Sequence, residues 1–516
     1  MNKRLNAIAM YLPQYHRVPE NDKWWGEGFT EWTSVRAAEK LFEEHDQPRI
    51  PLNQNYYNLL DKRVMEWQVE LAKEYGIDGF CFYHYYFKDG KRILEKPMEN
   101  LLKWKDLDMP YCCCWANQTW ARTWSNLCAV NTWSEKFEPK DSNTDSVLLE
   151  QSYGGQAEWE EHFDYLLPFF LDERYITIDG KPIFLFYTPE DISELTQMIE
   201  CWNAKIQNYG YDGIYAVAVN SMKIVRGLSA RLFQGPNSYR IPAIAGKAVQ
   251  EIRREGVRTI SYQECWNNAI SLKSPDSFRT YYGGFVDYDD TPRRGKLGLS
   301  AVGAAPDIFG SNLYKLAIKN IALGNQWLFI NAWNEWGEGN YLEPDERNKF
   351  QYLDMVRKVM AKCNDEHLDV QKEWNNICVQ NTTNSDTMAL VKELGKYREF
   401  YELLNRWLTL KERGISLEEY FRERGYYKVL IYGMAGLGKH LYEELGYGTI
   451  EIIGALDRRQ GITYKDIKLY SLNGKIPKCD IIVVTAISDF EPIKESLCGK
   501  TDARILSLKD IINSLF

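Results

Sequence analysis

Two glutamates three positions apart are the residues of this sequence best suited to chemistry. They lie in the run Trp333-Asn334-Glu335-Trp336-Gly337-Glu338-Gly339, directly after an apolar stretch that begins at Trp327. On a strand, residues three apart point to opposite faces, whereas in a helical turn their Cβ atoms lie about 5–6 Å apart. The two glycines of the run favour a turn. The spacing therefore predicts two neighbouring carboxylates between tryptophan rings.

Such a pair suits the cleavage of a glycosidic bond. An apolar wall raises the pKa of one carboxyl group while its partner stays ionised, which supplies an acid together with a base or nucleophile. The alternative is a surface turn with solvated carboxylates, but the flanking tryptophans and the preceding apolar stretch favour catalysis. We predict that Glu335 and Glu338 are catalytic. Trp333 and Trp336 are candidate sugar-binding residues, with core packing as the alternative.

The elements that would position this pair are eight apolar runs with helical patterns between several of them. The candidate strands are Leu5–Leu12, Ile77–Tyr86, Met109–Ala116, Pro182–Thr188, Ile214–Asn220, Ala230–Pro236, Phe278–Val286 and Trp327–Trp333. The amphipathic stretches are Asp61–Tyr75, Trp159–Leu171, Ile192–Tyr209 and Gly310–Leu323. Alternating strands and helices indicate parallel strands joined by crossovers, so the pattern predicts an α/β fold with a (β/α)8 barrel.

Polar and aromatic residues follow the ends of several candidate strands. In a barrel the carboxyl ends of the strands meet at one mouth, which would also receive the glutamate pair. The candidate substrate-binding residues at these ends are Tyr11, Tyr15, His16, His84, Tyr85, Trp115, Asn117 and Trp120, and their neighbours Tyr83 and Tyr86 share the position. Trp24, Trp25, Glu31 and Trp32 lie in the first long loop, where they could cover a cleft. For all of them, packing within the barrel or its loops is the alternative.

A late acidic segment supplies two further candidates. Asp290 and Arg293 lie in the run Asp287-Tyr288-Asp289-Asp290-Thr291-Pro292-Arg293, after the seventh candidate strand. Carboxylates and guanidinium groups form short, strong hydrogen bonds with sugar hydroxyls. Asp and Pro also favour turns on their own, so a turn without a binding role is the alternative.

Composition narrows the classes of function. The net charge of −9 and the absence of a Lys/Arg-rich stripe argue against a nucleic-acid partner. The 34 Tyr, 17 Trp and 21 Phe suit a sugar-binding cleft or a large aromatic core. No apolar span is long enough for a membrane helix, and no standard signal peptide is evident, which predicts a cytoplasmic protein. The 11 cysteines, including Cys112-Cys113-Cys114, and the six scattered histidines predict reduced thiols and no metal site.

The sequence changes character after the barrel. We predict three domains: a barrel over 1–350, a helical linker region over 351–425 with a loop at Gln380–Asp386, and a small Rossmann-like α/β domain over 426–516. In the last domain Gly433, Gly436, Gly438 and Asp457 have the order of a dinucleotide site. Their spacing is G-x-x-G-x-G, and Ala435 stands where the second glycine is expected. The domain is therefore open to a nucleotide, a partner protein or no ligand.

Residues 1 to about 350 resemble the WbsX family of bacterial surface-polysaccharide proteins, which is similar to glycoside hydrolase family 99. The motifs that carry the resemblance are Tyr11-Leu12-Pro13-Gln14-Tyr15-His16, Glu20-Asn21-Asp22 with Trp24-Trp25-Gly26, Gly28-Phe29-Thr30-Glu31-Trp32, Gly79-Phe80 through His84-Tyr85-Tyr86, Trp115-Ala116-Asn117, Trp333 through Gly339, and the D-x-T-P-R element ending at Arg293. Several long motifs in the same order make the resemblance specific.

The resemblance implies a barrel that acts on α-linked sugars, with Glu335 and Glu338 in the positions of a catalytic E-W-x-E pair. By that analogy Glu335 is a general base on the substrate's own 2-hydroxyl group, giving a 1,2-anhydro sugar. Glu338 then protonates the departing oxygen and later activates the incoming one, and the configuration is retained. The residues alone leave the usual carboxylate-nucleophile route open.

The same resemblance implies a place in O-antigen or capsule metabolism, with an oligo- or polysaccharide as substrate and polysaccharide-assembly proteins as partners. It leaves open whether water or a sugar accepts the transferred unit, and it implies no cofactor for the barrel. Two other readings stay open at this point. One is a noncatalytic glycan-binding assembly protein, and the other is a nucleotide-sugar oxidoreductase centred on Gly433–Asp457.

Overall fold

The structure is a computed structural model that describes residues 5–121, 147–240, 248–274, 276–446, 448–457, 464–471, 474 and 476–516, with the backbone alone over 379–398. The chain divides into two compact units, Met1–Asn381 and Thr382–Phe516.

The first unit is built around nine parallel strand segments. They are β1 (Asn6–Tyr11), β2 (Gly79–His84), β3 (Tyr111–Trp115), β4 (Lys181–Phe186), β5 (Tyr215–Val219), β6 (Leu228–Phe233), β7 (Thr280–Tyr282), β8 (Gly284–Phe285) and β9 (Trp327–Asn331). Their hydrogen-bonding order is β7-β6-β5-β4-β3-β2-β1-β9-β8. Because β7 and β8 are consecutive pieces of one extended stretch, this order closes the sheet into a barrel. The predicted fold class is confirmed.

All eight predicted strands are present, and one of them is broken. The stretch Phe278–Val286 is divided at Gly283, where β7 pairs with β6 and β8 pairs with β9. The Gly283 amide donates to the Phe233 carbonyl over 2.7 Å. A Cβ at Gly283 would lie 2.9 Å from the Gln234 Cβ and 3.1 Å from the Phe329 carbonyl oxygen. A glycine therefore lets the backbone cross closely between its two neighbours at the point where the barrel closes.

Helices cover the outside of the barrel and fill its loops. In the first unit they span Pro19–Trp25, Glu31–Ala37, Lys62–Glu74, Lys96–Lys103, Gln156–Phe170, Leu195–Gln207, Gly235–Arg240, Tyr262–Ser271, Thr291–Arg294, Pro306–Ala322 and Gln351–Cys363. The four predicted amphipathic helices are among them. The described residues also form three small sheets. One pairs Trp120–Ala121 with Val147–Leu149, the second joins Ile252–Arg254, Val257–Ser261 and Leu299–Val302, and the third pairs Asn334–Glu335 with Asn340–Tyr341. The short strand Thr177–Ile178 pairs with β4.

The second unit contains a five-stranded parallel sheet. Its strands are β10 (Lys428–Tyr432), β11 (Glu451–Leu456), β12 (Leu469–Tyr470), β13 (Ile481–Val484) and β14 (Arg504–Ser507). The strand order is β12-β11-β10-β13-β14, which is the order of a doubly wound sheet. Helices Leu417–Glu423, Gly436–Leu445, Phe490–Leu497 and Leu508–Leu515 accompany it. The strand β12 is the shortest of the five, with two residues.

The loop predicted at Gln380–Asp386 is wrong. The backbone is helical throughout Val370–Glu412, which includes this stretch. The stretch contains neither Gly nor Pro, and its Asn, Thr, Ser and Asp residues each lower helix propensity by a fraction of a kcal/mol, about 0.7 at most, without ending a helix. The division between the two units falls at Asn381 within this helix, so the predicted helical region 351–425 is shared between them.

The described residues bear on the predictions about membrane helices, cysteines and metal ligands. No described helix is both long and apolar enough to cross a bilayer. The ten described cysteines are free, and those of the run Cys112-Cys113-Cys114 are buried. Within the same part of the chain, no three His, Cys, Asp or Glu side chains are grouped as metal ligands would be.

Candidate active site

The two glutamates lie in a tight hairpin that follows β9 at the mouth of the barrel. Asn334–Glu335 is a two-residue strand paired antiparallel with Asn340–Tyr341. A single 3-10 turn, Trp336–Glu338, joins the two, and Gly339 closes the turn with a φ of 59°. This left-handed conformation costs a glycine little. The turn predicted from the two glycines therefore brings both carboxylates to the same side of the barrel.

The two carboxyl groups have unequal surroundings. Glu335 is 6% exposed, and burial followed by the charge of Glu338 raises its pKa well above the usual value. Burial also raises the pKa of Glu338, and the guanidinium of Arg293 opposes the rise at both groups. Among the described residues, Arg293 donates a hydrogen bond to Glu338, and no donor contacts the Glu335 carboxylate. The pair therefore retains a proton to higher pH than isolated glutamates do, while the hydrogen bond from Arg293 favours the ionised form of Glu338.

Arg293 ties the turn to the first long loop. Its Nη1 donates to Glu338 Oε1 over 2.5 Å and its Nε donates to Glu31 Oε1 over 2.6 Å. The Glu31 side chain is 4% exposed. Arg293, predicted to bind substrate, therefore lies at the site with its charge already shared between two carboxylates.

Further hydrogen bonds hold the backbone of the hairpin in place. Tyr15 donates its hydroxyl hydrogen to the Asn334 carbonyl, and the Trp336 amide donates to the Tyr15 hydroxyl oxygen over 3.1 Å. Arg49 Nη1 donates to the Gly339 carbonyl over 2.7 Å. The amide of Asp289 donates to the Glu338 carbonyl over 2.6 Å. These contacts fix the backbone on both sides of the catalytic pair.

A buried carboxyl group, Glu343, supports Trp336. It accepts hydrogen bonds from Trp336 Nε1 over 2.7 Å, from the Tyr57 hydroxyl over 2.8 Å and from Gln68 Nε2 over 2.7 Å. Burial raises the pKa of Glu343 to about 7, although these donors oppose the rise. Trp336 also stacks on Tyr341 at a centroid distance of 3.6 Å. Trp336 therefore braces the turn.

The cleft in front of the pair has a volume of about 210 Å³. Its described lining is rich in two kinds of side chain, aromatic rings and neutral amides, which suit the C–H faces and the hydroxyl groups of a sugar. The rings are Tyr83, Tyr85, Trp120, Tyr187 and Tyr288, and the amides are Gln14, Gln118, Asn220, Gln234 and Asn331. The charged residues are Arg293, Glu335 and Glu338.

Of the predicted substrate-binding residues, Tyr85, Trp120 and Arg293 line this cleft and most of the others do not. The reason at β2 and β3 is strand alternation. Tyr83 and Tyr85 point into the barrel mouth, whereas His84 points outward and places its Nε2 2.8 Å from the Nε2 of His162. Burial lowers the pKa of His84 to about 3. Trp115 also points outward, and its Nε1 donates to the Tyr86 carbonyl over 2.9 Å.

The remaining candidates near the amino-terminal strands do not line this cleft. Tyr11 donates to Gln68 over 2.7 Å on the outside of the barrel. Tyr15 holds the hairpin, and His16 is buried with its pKa lowered to about 4 by that burial. Asn117 exchanges two hydrogen bonds of 2.9 Å with the backbone of Thr188. At these positions the strand ends carry side chains that tie neighbouring loops together.

Three candidates elsewhere are also placed away from the cleft. Trp333 is fully buried, with its ring 5.1 Å from that of Phe80. Asp290 is buried and accepts from the Leu299 amide over 2.6 Å, as a turn residue does. Trp25 packs near Phe29, and its neighbour Trp24 is the one that contacts the ring of Trp120.

The glycine turn of the second unit is closed by contacts within that unit. The Met434 amide donates to Asp457 over 2.9 Å, so this carboxylate holds the turn itself. A Cβ at Gly436 would lie 3.2 Å from the ring of Phe400. A Cβ at Gly438 would lie 2.0 Å from the Gly433 carbonyl oxygen. The last glycine therefore serves close packing of the helix on the strand.

Comparison with known proteins gives a family match and two curated relatives. Residues 7–356 match the family model described as "Glycosyltransferase WbsX". Two proteins named "Uncharacterized protein WxcX", from two strains of Xanthomonas campestris pv. campestris, are each 30% identical over 365 residues, which is 69% of this chain and 50% of theirs. The chain thus spans about half the length of the curated relatives it matches.

The solved structures include an endo-α-mannosidase of glycoside hydrolase family 99 from Bacteroides thetaiotaomicron. It is 13% identical, with a TM-score of 0.43, over 69% of this chain and 97% of that one. A likeness of this degree decides neither the fold nor the substrate.

Proposed function

Because this chain belongs to the WbsX family of glycosyltransferases, we propose that it breaks an α-linked glycosidic bond and passes the glycosyl unit to an oxygen acceptor. The observation that carries the proposal is the glutamate pair, with Glu335 buried and the Glu338 side chain 26% exposed, facing a cleft of rings and neutral amides. Acid–base catalysis needs two such groups with different proton affinities in one desolvated place.

We propose the division of labour that the family resemblance implies. Glu335 accepts the proton of the substrate's 2-hydroxyl group as its oxygen bonds to the anomeric carbon, and Glu338 gives its proton to the departing oxygen. When an acceptor hydroxyl then attacks the anomeric carbon, Glu338 takes the proton of this hydroxyl and Glu335 returns a proton to the 2-oxygen of the sugar. Since the hydrogen bond from Arg293 favours the ionised form of Glu338, substrate binding has to bring a proton to Glu338 before the bond breaks.

The test of this function is incubation with α-linked oligosaccharides. We expect release of a shortened sugar with retained configuration, and a chain-transfer product when a sugar acceptor is added in excess. Mass spectrometry and NMR of the products separate transfer from hydrolysis. Saturable glycan binding with no product would instead favour the noncatalytic assembly role, which the same cleft lining supports. The biological setting that we propose is surface-polysaccharide metabolism.

For the second unit we propose that the glycine turn takes no dinucleotide, since Phe400 covers Gly436 and Asp457 is bonded to Met434. Titration of the protein with NAD(H) and with nucleotide sugars, followed by calorimetry, is expected to give no saturable heat. Tight binding of either ligand that is lost in a Gly436→Val variant would contradict this expectation and favour the nucleotide-sugar oxidoreductase.

A further inference from the structure

Glu31 is built into the site although it does not line the cleft. It is the first residue of the helix Glu31–Ala37, and its amide donates to the Gln14 carbonyl over 3.2 Å in the loop that follows β1. Its carboxylate lies over the backbone of the catalytic turn. A Cβ at Gly337 would lie 1.7 Å from Glu31 Oε1. The absence of a side chain at Gly337 is therefore what lets Glu31 reach Arg293.

The position of Glu31 creates a local excess of negative charge. Glu31, Glu335 and Glu338 all act on the single guanidinium of Arg293, which is the one Lys or Arg among the described lining residues. Three carboxylates, of which Glu31 and Glu335 are buried and Glu338 is 26% exposed, are not balanced by one cation when all three are ionised. One proton within the group relieves the repulsion.

The other titratable groups that face the glutamate pair add to this excess and do not offset it. Asp290 raises the pKa of Glu338, and it comes from the turn before Thr291–Arg294. The hydroxyls of Tyr83, Tyr85 and Tyr187 come from the ends of β2 and β4. Burial raises the pKa of each of these tyrosines, so they stay neutral and supply no positive charge.

We propose that Glu31 is a positioning residue that holds Arg293 against Glu338 and neutralises part of its charge, so that the glutamate pair keeps the proton required for acid catalysis. Without Glu31, the full charge of Arg293 would act on the pair and favour its fully ionised form. The inference rests on the proposed function for its catalytic meaning, but the proton that it concerns can be observed without a substrate.

The test is the variant Glu31→Gln, which keeps an acceptor for Arg293 Nε and removes one negative charge. The basic limb of the kcat/KM profile should move to lower pH by about one unit or more, because the pKa values of the glutamate pair fall. Glu27→Gln is the matched control, since Glu27 lies in the same loop with its side chain 90% exposed. We expect this control to leave the profile unchanged. A Glu31→Gln profile that is lower in rate at every pH but unmoved along the pH axis would overturn the proposal.

A second measurement keeps the inference separate from the enzymatic assignment. In protein with 13C-labelled glutamate carboxyls, the two resonances lost in Glu335→Gln and Glu338→Gln identify the pair. Their titration should move to lower pH in Glu31→Gln and stay in place in Glu27→Gln. If no glycan is turned over but the titration moves, the proposed function fails and the role of Glu31 stands. If glycan is turned over but the titration does not move, the role of Glu31 fails alone.

Discussion

Replacing Glu335 or Glu338 with glutamine is expected to lower kcat/KM for an α-linked glycan by about 10²–10⁴-fold, the range that a positioned acid or base contributes. Each change removes a titratable group and little volume. The melting temperature should stay the same or rise, because each substitution relieves repulsion between two neighbouring carboxyl groups whose pKa values are both raised. Initial rates and thermal unfolding of the same preparations measure both effects.

The leaving group of the substrate distinguishes the two roles. A phenolate that is stable without a proton needs no general acid, so an activated aryl glycoside should restore much of the activity of Glu338→Gln and none of that of Glu335→Gln. The opposite pattern would exchange the roles. Near-normal activity of either variant on the natural linkage would remove that residue from the mechanism.

The barrel could be predicted because its signals are local. Each of the eight apolar runs lies within about ten residues, and the strand that breaks at Gly283 still carries the pattern of one strand. The helix through Gln380–Asp386 was missed because polar composition resembles a loop while lacking the Gly or Pro that would end a helix. Composition alone does not separate an exposed helix from a loop.

The site was predicted less completely, for two physical reasons. The rule that strand ends face the mouth was applied without strand alternation, which excludes His84 and Trp115. Applied to every strand it would also have found Tyr187, Asn220 and Gln234, which directly follow β4, β5 and β6, and Asn331, which ends β9. The contact between Glu31 and Arg293 has no local signal at all, since 262 positions separate the two residues.

Gly337 joins these long-range contacts to the local turn, and a methyl group there should disrupt both. A Cβ at this position would lie 1.7 Å from Glu31 Oε1 and 2.7 Å from Arg293 Nε, so both side chains must move. We expect Gly337→Ala to lose about 1–3 kcal/mol of unfolding free energy, as overpacked interiors do. The displaced Arg293 no longer aligns Glu338, so kcat/KM should fall by about 10²-fold. Urea unfolding and initial rates measure the two losses.

Two further variants separate strain from misalignment. Gly155→Ala is the matched control, because its new Cβ would have Glu158 Oε2 at 3.8 Å as its nearest contact, which is ordinary van der Waals distance. It should change neither quantity much. Combining Gly337→Ala with Glu31→Ala removes Glu31 Oε1, the nearer of the two atoms that the methyl group meets. Stability should therefore partly return while activity stays low. This non-additivity is expected only if Glu31 lies over the turn as the structure has it. Additive stability losses in the double variant would place the Glu31 carboxylate elsewhere and separate it from the catalytic pair.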